Sequence, residues 1–148
     1  MKYRDGYKYQ LAEDESLMTG IKGFDINTDF IRLEPDGRLT AKKGYAWDGA
    51  SGPTWDSSYC MRGPLFHDCL YQLLREQQLP HSYRKIADDI MYLCIIEDGM
   101  RYANSLAYIL RSPMRAFIQF RANYWYQGVR LLADSACLPQ NDRKVYEV

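Results

Sequence analysis

The chain has only two histidines, and the first of them begins a group of residues that could transfer protons. His67 and Tyr71, at positions i and i+4, share one face of the predicted helix. Asp88 and Asp89 follow on the next predicted helix. If the two helices pair antiparallel, a carboxylate from the second reaches the imidazole and fixes its tautomer. The other ring nitrogen can then take a proton from water, as a general base does. The spacing does not choose between Asp88 and Asp89.

Asp68 is a candidate metal ligand. It points about 100° away from its histidine neighbour, because a helix has 3.6 residues per turn. It is therefore free to bind a hard cation together with carbonyls of the preceding loop, residues 44–58. That loop is rich in Gly, Ser, Asp and Pro, and its length is typical of functional loops. Gly44, Gly49 and Gly52 could turn backbone groups toward an ion or an oxyanion, or serve only a tight connection.

Less specific interpretations fit the same residues. His67 could be a hydrogen-bonded core histidine, and Asp68 could stabilise a helix N-terminus through the helix dipole. Asp88 could pair with Arg84 at i,i+4 on a solvated face. Spacing alone leaves these interpretations open beside the catalytic one.

Two other chemistries have weak support. Ser51 could be a nucleophile beside His67, but Gly49-Ala50-Ser51-Gly52 is not the G-x-S-x-G of a nucleophile elbow. A zinc site at His67 needs further histidines, and only His81 remains. No C-x-x-C pair occurs either, so a zinc site is not expected.

Composition excludes several classes of protein. Lys and Arg total 19, as do Asp and Glu, so the net charge is zero and a general nucleic-acid binder is not expected. No apolar run is long enough to span a membrane, and the N-terminus lacks the apolar region of a secretion signal. Reduced, buried thiols are therefore expected at Cys60, Cys69, Cys94 and Cys137, with Cys69 and Cys94 between the two motif helices.

The N-terminal third reads as strands punctuated by glycines. Pro35-Asp36-Gly37 predicts a hairpin turn, because Pro presets φ and Gly accepts a positive φ. The predicted strands are 7–12, 17–21, 29–34 and 38–42.

From Gly63 onward the apolar residues recur at helical spacing. Pro64 suits the start of the first helix, Ser82 is the predicted cap of the second, and Gly99 is its predicted end. The predicted helices are 64–78, 83–98, about 101–111, and 113 to about 134.

These elements predict an α+β fold in a single domain over 1–148. A small N-terminal antiparallel sheet, within a strand and loop region over 1–58, precedes a bundle of about four helices. The helical region covers 60–135 and carries the site, and 136–148 form a tail. The site is expected where the 44–58 loop meets the first two helices.

Three ordered motifs resemble domain-of-unknown-function family 1353, which occurs in phages and prophages. The resemblance covers roughly two thirds of the chain, from the strand region to about Gly99. It implies a phage protein, located in the virion or the host cytoplasm. The motifs are Trp47-Asp48-Gly49-Ala50-Ser51-Gly52-Pro53, His67-Asp68-x-Leu70-Tyr71 and Arg84-x-x-Ala87-Asp88.

His67-Asp68-x-x-Tyr71 followed by Ala87-Asp88 is also similar to the active-site helices of phospholipase A2, especially the short domains of parvovirus capsids. The resemblance implies that His67 activates water, Asp88 orients it and Tyr71 hydrogen-bonds Asp88. It also implies that Asp68 binds Ca²⁺, which stabilises the oxyanion of a glycerophospholipid ester. Asp48 and Gly49 lie where the calcium loop would be, at a wider spacing than Tyr-x-Gly-x-Gly.

Three functions remain open at this point. The first is calcium-dependent hydrolysis of host lipid, and the second is hydrolysis of another envelope bond by the same base. The third is a non-enzymatic virion or assembly protein that uses the 113–134 helix and a tyrosine-rich surface to bind other virion proteins. The aromatic stripe of that helix, with Phe117, Phe120 and Tyr124, equally fits core packing.

Overall fold

The computed structural model describes residues 3–4, 9–49 and 57–139, and in these ranges seven short strands precede three α-helices. Three 3-10 turns, Ser58–Cys60, His81–Tyr83 and Ser135–Cys137, flank or link the helices. The strands are β1 (Tyr3–Arg4), β2 (Tyr9–Leu11), β3 (Glu15–Met18), β4 (Ile26–Asn27), β5 (Ile31–Leu33), β6 (Arg38–Ala41) and β7 (Ala46–Trp47). The helices are α1 (Arg62–Arg75), α2 (Arg84–Ser105) and α3 (Tyr108–Leu132).

The strands form two small antiparallel sheets, ordered β1-β2-β7 and β3-β6-β5-β4. The predicted hairpin is β5–β6, in which Leu33 pairs with Leu39 across the Pro35-Asp36-Gly37 turn. Gly37 has a φ of 95°, and a Cβ there would lie 3.1 Å from the carbonyl oxygen of Ile21. The turn therefore requires glycine for both conformation and space.

The four predicted strands correspond to β2, β3, β5 and β6, although β3 ends at Met18 rather than at residue 21. Strands β1, β4 and β7 were not predicted. Each has only two residues, which is too short for alternation of apolar and polar side chains to show in the sequence.

The prediction of about four helices is wrong by one in the described ranges. No separate helix covers 101–111, because α2 continues past Gly99 to Ser105 and α3 begins before Pro113. The chain breaks at Leu106 and Ala107 instead. The predicted cap is also wrong, since Ser82 lies in a 3-10 turn and no side chain caps α2.

Gly99 lies at the contact between α2 and α3. A Cβ at this position would lie 2.5 Å from Cγ2 of Ile118, a side chain with no exposed surface. Glycine thus sets how closely the two helices approach and does not end the helix. Its sequence signature resembles a C-cap, but tertiary packing decides its role.

We expect Gly99→Ala to lower the free energy of unfolding by about 1–3 kcal/mol, because the buried Ile118 must move. Gly128, in α3, is the matched control, since a Cβ added there would have no described atom within 4 Å. Gly128→Ala should raise the free energy of unfolding by about 0.5–1 kcal/mol, because alanine favours helix. Urea unfolding followed by circular dichroism measures both. Equal effects of the same sign would contradict the close-packing role.

The first helix lies at the centre of the molecule. Ten of its 14 residues are buried, and its apolar side chains pack into one cluster with the strands. A second buried apolar cluster is formed mainly by side chains of α2 and α3, with Met91, Ile95 and Trp125 among its members. Because α1 is enclosed on several sides, the polar side chains that it carries are held in fixed positions.

All four cysteines are buried and none forms a disulfide, as predicted. The Cys69 thiol lies beside the hydroxyl of Tyr45, just before β7, and burial raises the pKa of Cys69 far above its ordinary value. Burial likewise raises the pKa of Cys94 to about 11. These two thiols are therefore protonated at neutral pH and do not act as nucleophiles.

Among the described helices, none has an apolar stretch long enough to cross a membrane.

Candidate active site

Helices α1 and α2 pack together and bring His67 to Asp88. Nε2 of His67 lies 2.9 Å from Oδ1 of Asp88, and the Asp88 side chain has no exposed surface. The predicted hydrogen bond between a ring nitrogen and a carboxylate is confirmed. Asp89 instead lies near the surface, where it pairs with Lys85 and accepts a hydrogen bond from Tyr126.

Asp88 accepts hydrogen bonds from three side chains, two in α1 and one in α3. The Tyr71 hydroxyl donates to Oδ1 at 2.8 Å, as expected from the sequence, and Nη1 of Arg130 in α3 donates to Oδ2 at 2.8 Å. Burial raises the pKa of Asp88, but the bonds from His67, Arg130 and Tyr71 outweigh it and hold the pKa below its ordinary value. Asp88 is therefore ionised at neutral pH, and we assign the proton of the neutral imidazole to Nε2.

Arg84 is buried and does not lie on a solvated face. It contacts the site through Tyr71. Its Nε donates to the Tyr71 hydroxyl at 3.1 Å, and its Nη2 donates to the carbonyls of Val129 and Arg130 at 2.7 and 3.1 Å. Arg84 thus ties the end of α3 to the pair of motif helices. The sequence identified Arg84 as an i,i+4 partner of Asp88 and as a member of the third motif, but not its contacts with Tyr71 and α3.

Nδ1 of His67 is the nitrogen that Asp88 leaves available. His67 and Asp68 both line a cavity of about 420 Å³, and Oδ1 of Asp68 lies 3.7 Å from Nδ1. The cavity opens between α1 and α3, and its walls are mostly apolar, with Met91, Trp125 and Leu132 among them. His67 therefore borders the cavity, and Asp68 is the side chain beside its second ring nitrogen.

The two carboxylates dominate the ionisation of His67. Burial lowers the pKa of His67, but its interactions with Asp68 and Asp88 outweigh burial and raise the pKa above its ordinary value. A general base must be neutral, so the base form accumulates only as the pH rises through this elevated pKa. A cation on Asp68 would cancel part of the negative charge and lower the pKa of His67 again.

We expect Asp68→Asn to lower the pKa of His67, because it removes a negative charge beside Nδ1. Asp89→Asn is the matched control, since Asp89 is a neighbouring carboxylate that does not contact the imidazole. Proton NMR titration can follow His67 directly because the chain has only one other histidine. An unchanged or raised pKa in Asp68→Asn would contradict the assignment.

Comparisons with known proteins do not name this site. The chain matches no protein-family model, no curated protein and no solved structure. The geometry of His67, Asp88 and Tyr71 therefore carries the functional argument.

The residues predicted to bind a metal are only partly brought together. Asp68 and Gly49 line the same cavity, and Gly49 is buried with a φ of 70°, which favours glycine. The Asp48 side chain is exposed and is not among the residues that line the cavity. Ser51 and Gly52 lie outside the described residues.

Gly44 serves a tight connection. Its φ is 94°, a Cβ there would lie 3.2 Å from the Phe30 ring, and its N–H donates to the carbonyl of Leu11. It therefore joins strands and takes no part in the cavity.

The donors near His67 fit a hard cation in type. The Asp68 carboxylate is one-third exposed and faces the cavity that Gly49 also lines. Ca²⁺ takes six to eight oxygen ligands, so solvent and substrate would have to complete the shell around these protein groups. Asp68 is the side chain that would hold the ion, and Gly49 is the described position from which a backbone group could join it.

Proposed function

We propose that this chain is a hydrolase with a phospholipase A2-like His–Asp site that cleaves ester bonds of glycerophospholipids. One observation carries the proposal. The buried Asp88 occupies Nε2 of His67, and His67 lines an apolar cavity with its second nitrogen unclaimed by Asp88.

In the proposed mechanism, proton transfers use this geometry. Nδ1 of His67 takes a proton from water as the water oxygen attacks the ester carbonyl carbon, and a tetrahedral oxyanion forms. The imidazolium then returns its proton to the leaving alkoxide oxygen as the carbon–oxygen bond breaks. Asp88 stays ionised throughout and stabilises the imidazolium, while Tyr71 and Arg130 hold Asp88 in position. A calcium ion on Asp68 would supply Lewis-acid stabilisation of the oxyanion.

The cavity suits an acyl chain beside a polar head. Its apolar side chains can bury a hydrocarbon, and Arg75 adds a positive charge to the same lining. The indole Nε1 of Trp125 is buried and has no acceptor among the described residues. The Trp125 side chain lines the same cavity and adds an aromatic surface to it.

The source and substrate follow from the motif resemblance. Similarity to family 1353 supports a phage protein, present in the virion or the host cytoplasm, and similarity to the phospholipase A2 helices supports envelope lipid as its substrate. A His–Asp base does not itself select lipid, so another ester or amide of the envelope is the alternative substrate for the same site.

Fatty-acid release from mixed phospholipid vesicles tests the proposal. We expect the wild-type chain to release fatty acid in calcium and to lose this activity in a chelator, because Asp68 alone cannot stabilise an oxyanion. A water-soluble short-chain ester provides a substrate that needs no lipid surface. A folded protein that cleaves neither substrate under either condition would contradict the proposed enzyme.

A non-enzymatic virion or assembly role is the second candidate, and the surface of α3 favours it. This helix exposes several large apolar side chains, which is a common feature of interaction surfaces. The most exposed are Tyr108 (84%), Leu132 (82%), Ile109 (81%), Leu131 (76%) and Phe120 (69%). If this role is correct, Phe120→Ser impairs particle assembly while a substitution of His67 does not.

A further inference from the structure

Two 3-10 turns that are distant in the sequence meet beside the active site. His81 lies in the turn between α1 and α2. Cys137 lies in the turn after α3, and Asp134 directly precedes that turn. Nε2 of His81 lies 3.3 Å from Sγ of Cys137 and 3.6 Å from Oδ1 of Asp134. All three ligand atoms lie within 4.8 Å of one another.

These separations match those of ligands around one small metal ion. Zn²⁺ binds histidine nitrogen at about 2.0–2.1 Å and cysteine sulfur at about 2.3 Å, with tetrahedral geometry. Two such ligands are therefore about 3.3–3.6 Å apart. The observed separations between Nε2 and the other two atoms fall in this range, so small side-chain adjustments suffice to enclose an ion.

The sulfur of Cys137 has two polar neighbours in this cluster. The Cys137 thiol has one hydrogen, yet Sγ lies 3.0 Å from the carbonyl oxygen of Asp134 as well as close to Nε2 of His81. Three potential metal ligands, Nε2 of His81, Sγ of Cys137 and Oδ1 of Asp134, thus face one another. A cation at their centre could contact all three.

We propose that His81, Asp134 and Cys137 form a zinc site. The nitrogen, sulfur and oxygen donors favour Zn²⁺ over Ca²⁺, which prefers oxygen alone. The sequence argument against zinc rested on the lack of further histidines for a site at His67 and on the lack of a C-x-x-C pair, and this cluster requires neither. The proposal is independent of ester hydrolysis.

The solvent exposure of the three side chains is compatible with a bound metal ion. The side chains of His81 and Asp134 are 53% and 60% exposed, so an ion can enter from solvent, while Cys137 is buried. Three protein ligands leave the fourth position to water. Arg84 also pairs with Oδ1 of Asp134 at 3.0 Å, so the arginine and an ion would share this carboxylate, which has a second oxygen to offer.

The site would fix one wall of the active-site cavity. Ala133 and Ala136 line that cavity, and they are the immediate neighbours of Asp134 and Cys137. Nη1 of Arg75 in α1 already donates to the carbonyl of Ala136 at 3.0 Å. A zinc ion would add a second attachment, between the residues after α3 and the turn that precedes α2.

Zinc titration of the reduced, metal-free chain against a chromophoric chelator tests the proposal. We expect one equivalent of Zn²⁺ per chain. His81→Gln and Cys137→Ser should each weaken binding at least about 100-fold, since loss of even outer-shell groups costs about 10- to 100-fold. Co²⁺ should give a thiolate-to-metal absorption band that Cys137→Ser abolishes. His81 is exposed, so the His81→Gln variant is expected to fold.

Matched controls separate this site from other thiols and carboxylates. Cys94→Ser replaces another buried cysteine, and Asp25→Asn replaces an exposed carboxylate that pairs with Arg32, so neither should change zinc affinity. Absence of stoichiometric zinc binding in the wild type would overturn the proposal. Wild-type affinity in both His81→Gln and Cys137→Ser would overturn it as well.

Discussion

His67→Gln is expected to reduce ester hydrolysis by about 10²- to 10⁴-fold, the usual contribution of a positioned general base. Asp88 contacts Nε2 of His67, and the amide nitrogen of glutamine can reach the position of that atom and donate the same bond. Glutamine has no basic group to take the proton from water. The fold is therefore retained while the proton acceptor is lost.

Initial rates on phospholipid vesicles in calcium measure this effect, and thermal unfolding of both proteins verifies the fold. Asp89→Asn changes a surface residue of the neighbouring helix and should retain wild-type rates. A folded His67→Gln protein with more than about one tenth of wild-type activity would show that another group is the base.

Asp88→Ala is expected to lower the free energy of unfolding by about 3–5 kcal/mol, the usual cost of removing one partner from a buried ion pair. The substitution leaves Arg130 without its carboxylate and leaves the buried donors of His67 and Tyr71 without an acceptor. Asp89→Ala removes a carboxylate one position away that forms a surface pair with Lys85. It should cost less than about 1 kcal/mol.

Urea unfolding at neutral pH compares these two variants directly. The pKa of Asp88 is lowered by folding, so its contribution to stability is present above its unfolded pKa and is lost as the pH falls through the folded pKa. Asp88→Ala should consequently remove part of the acid sensitivity of the wild type. Equal costs for the two alanine variants would contradict a buried, charge-paired Asp88.

Features that depend only on residues close together in the chain could be predicted from the sequence. The i,i+4 relation of His67 and Tyr71 and the Pro35-Asp36-Gly37 turn both depend on neighbouring residues, and both were predicted. Spacing could not choose between Asp88 and Asp89, because both flank the apolar stripe and only tertiary packing buries one of them; the choice of Asp88 came from the motif resemblance.

Arg130 shows what local patterns cannot reveal. It reaches Asp88 from a helix 42 positions away in the chain, and its spacing in α3 resembles that of any surface arginine. The predicted number of helices was wrong for a similar reason. Gly99 has the sequence signature of a helix end, but it lies inside α2, where it packs against Ile118. The sequence indicated the dyad but not the arginines that neutralise it.

The anchoring of α3 by Arg84 and Arg130 has a consequence for biosynthesis. His67 and Asp88 are translated well before Arg130, and the carbonyls that Arg84 binds belong to residues 129 and 130. A nascent chain that has not yet exposed α3 therefore has no countercharge from Arg130 for Asp88 and no α3 wall for the cavity. The dyad is completed only when the last helix docks, so a chain interrupted before α3 lacks a finished site.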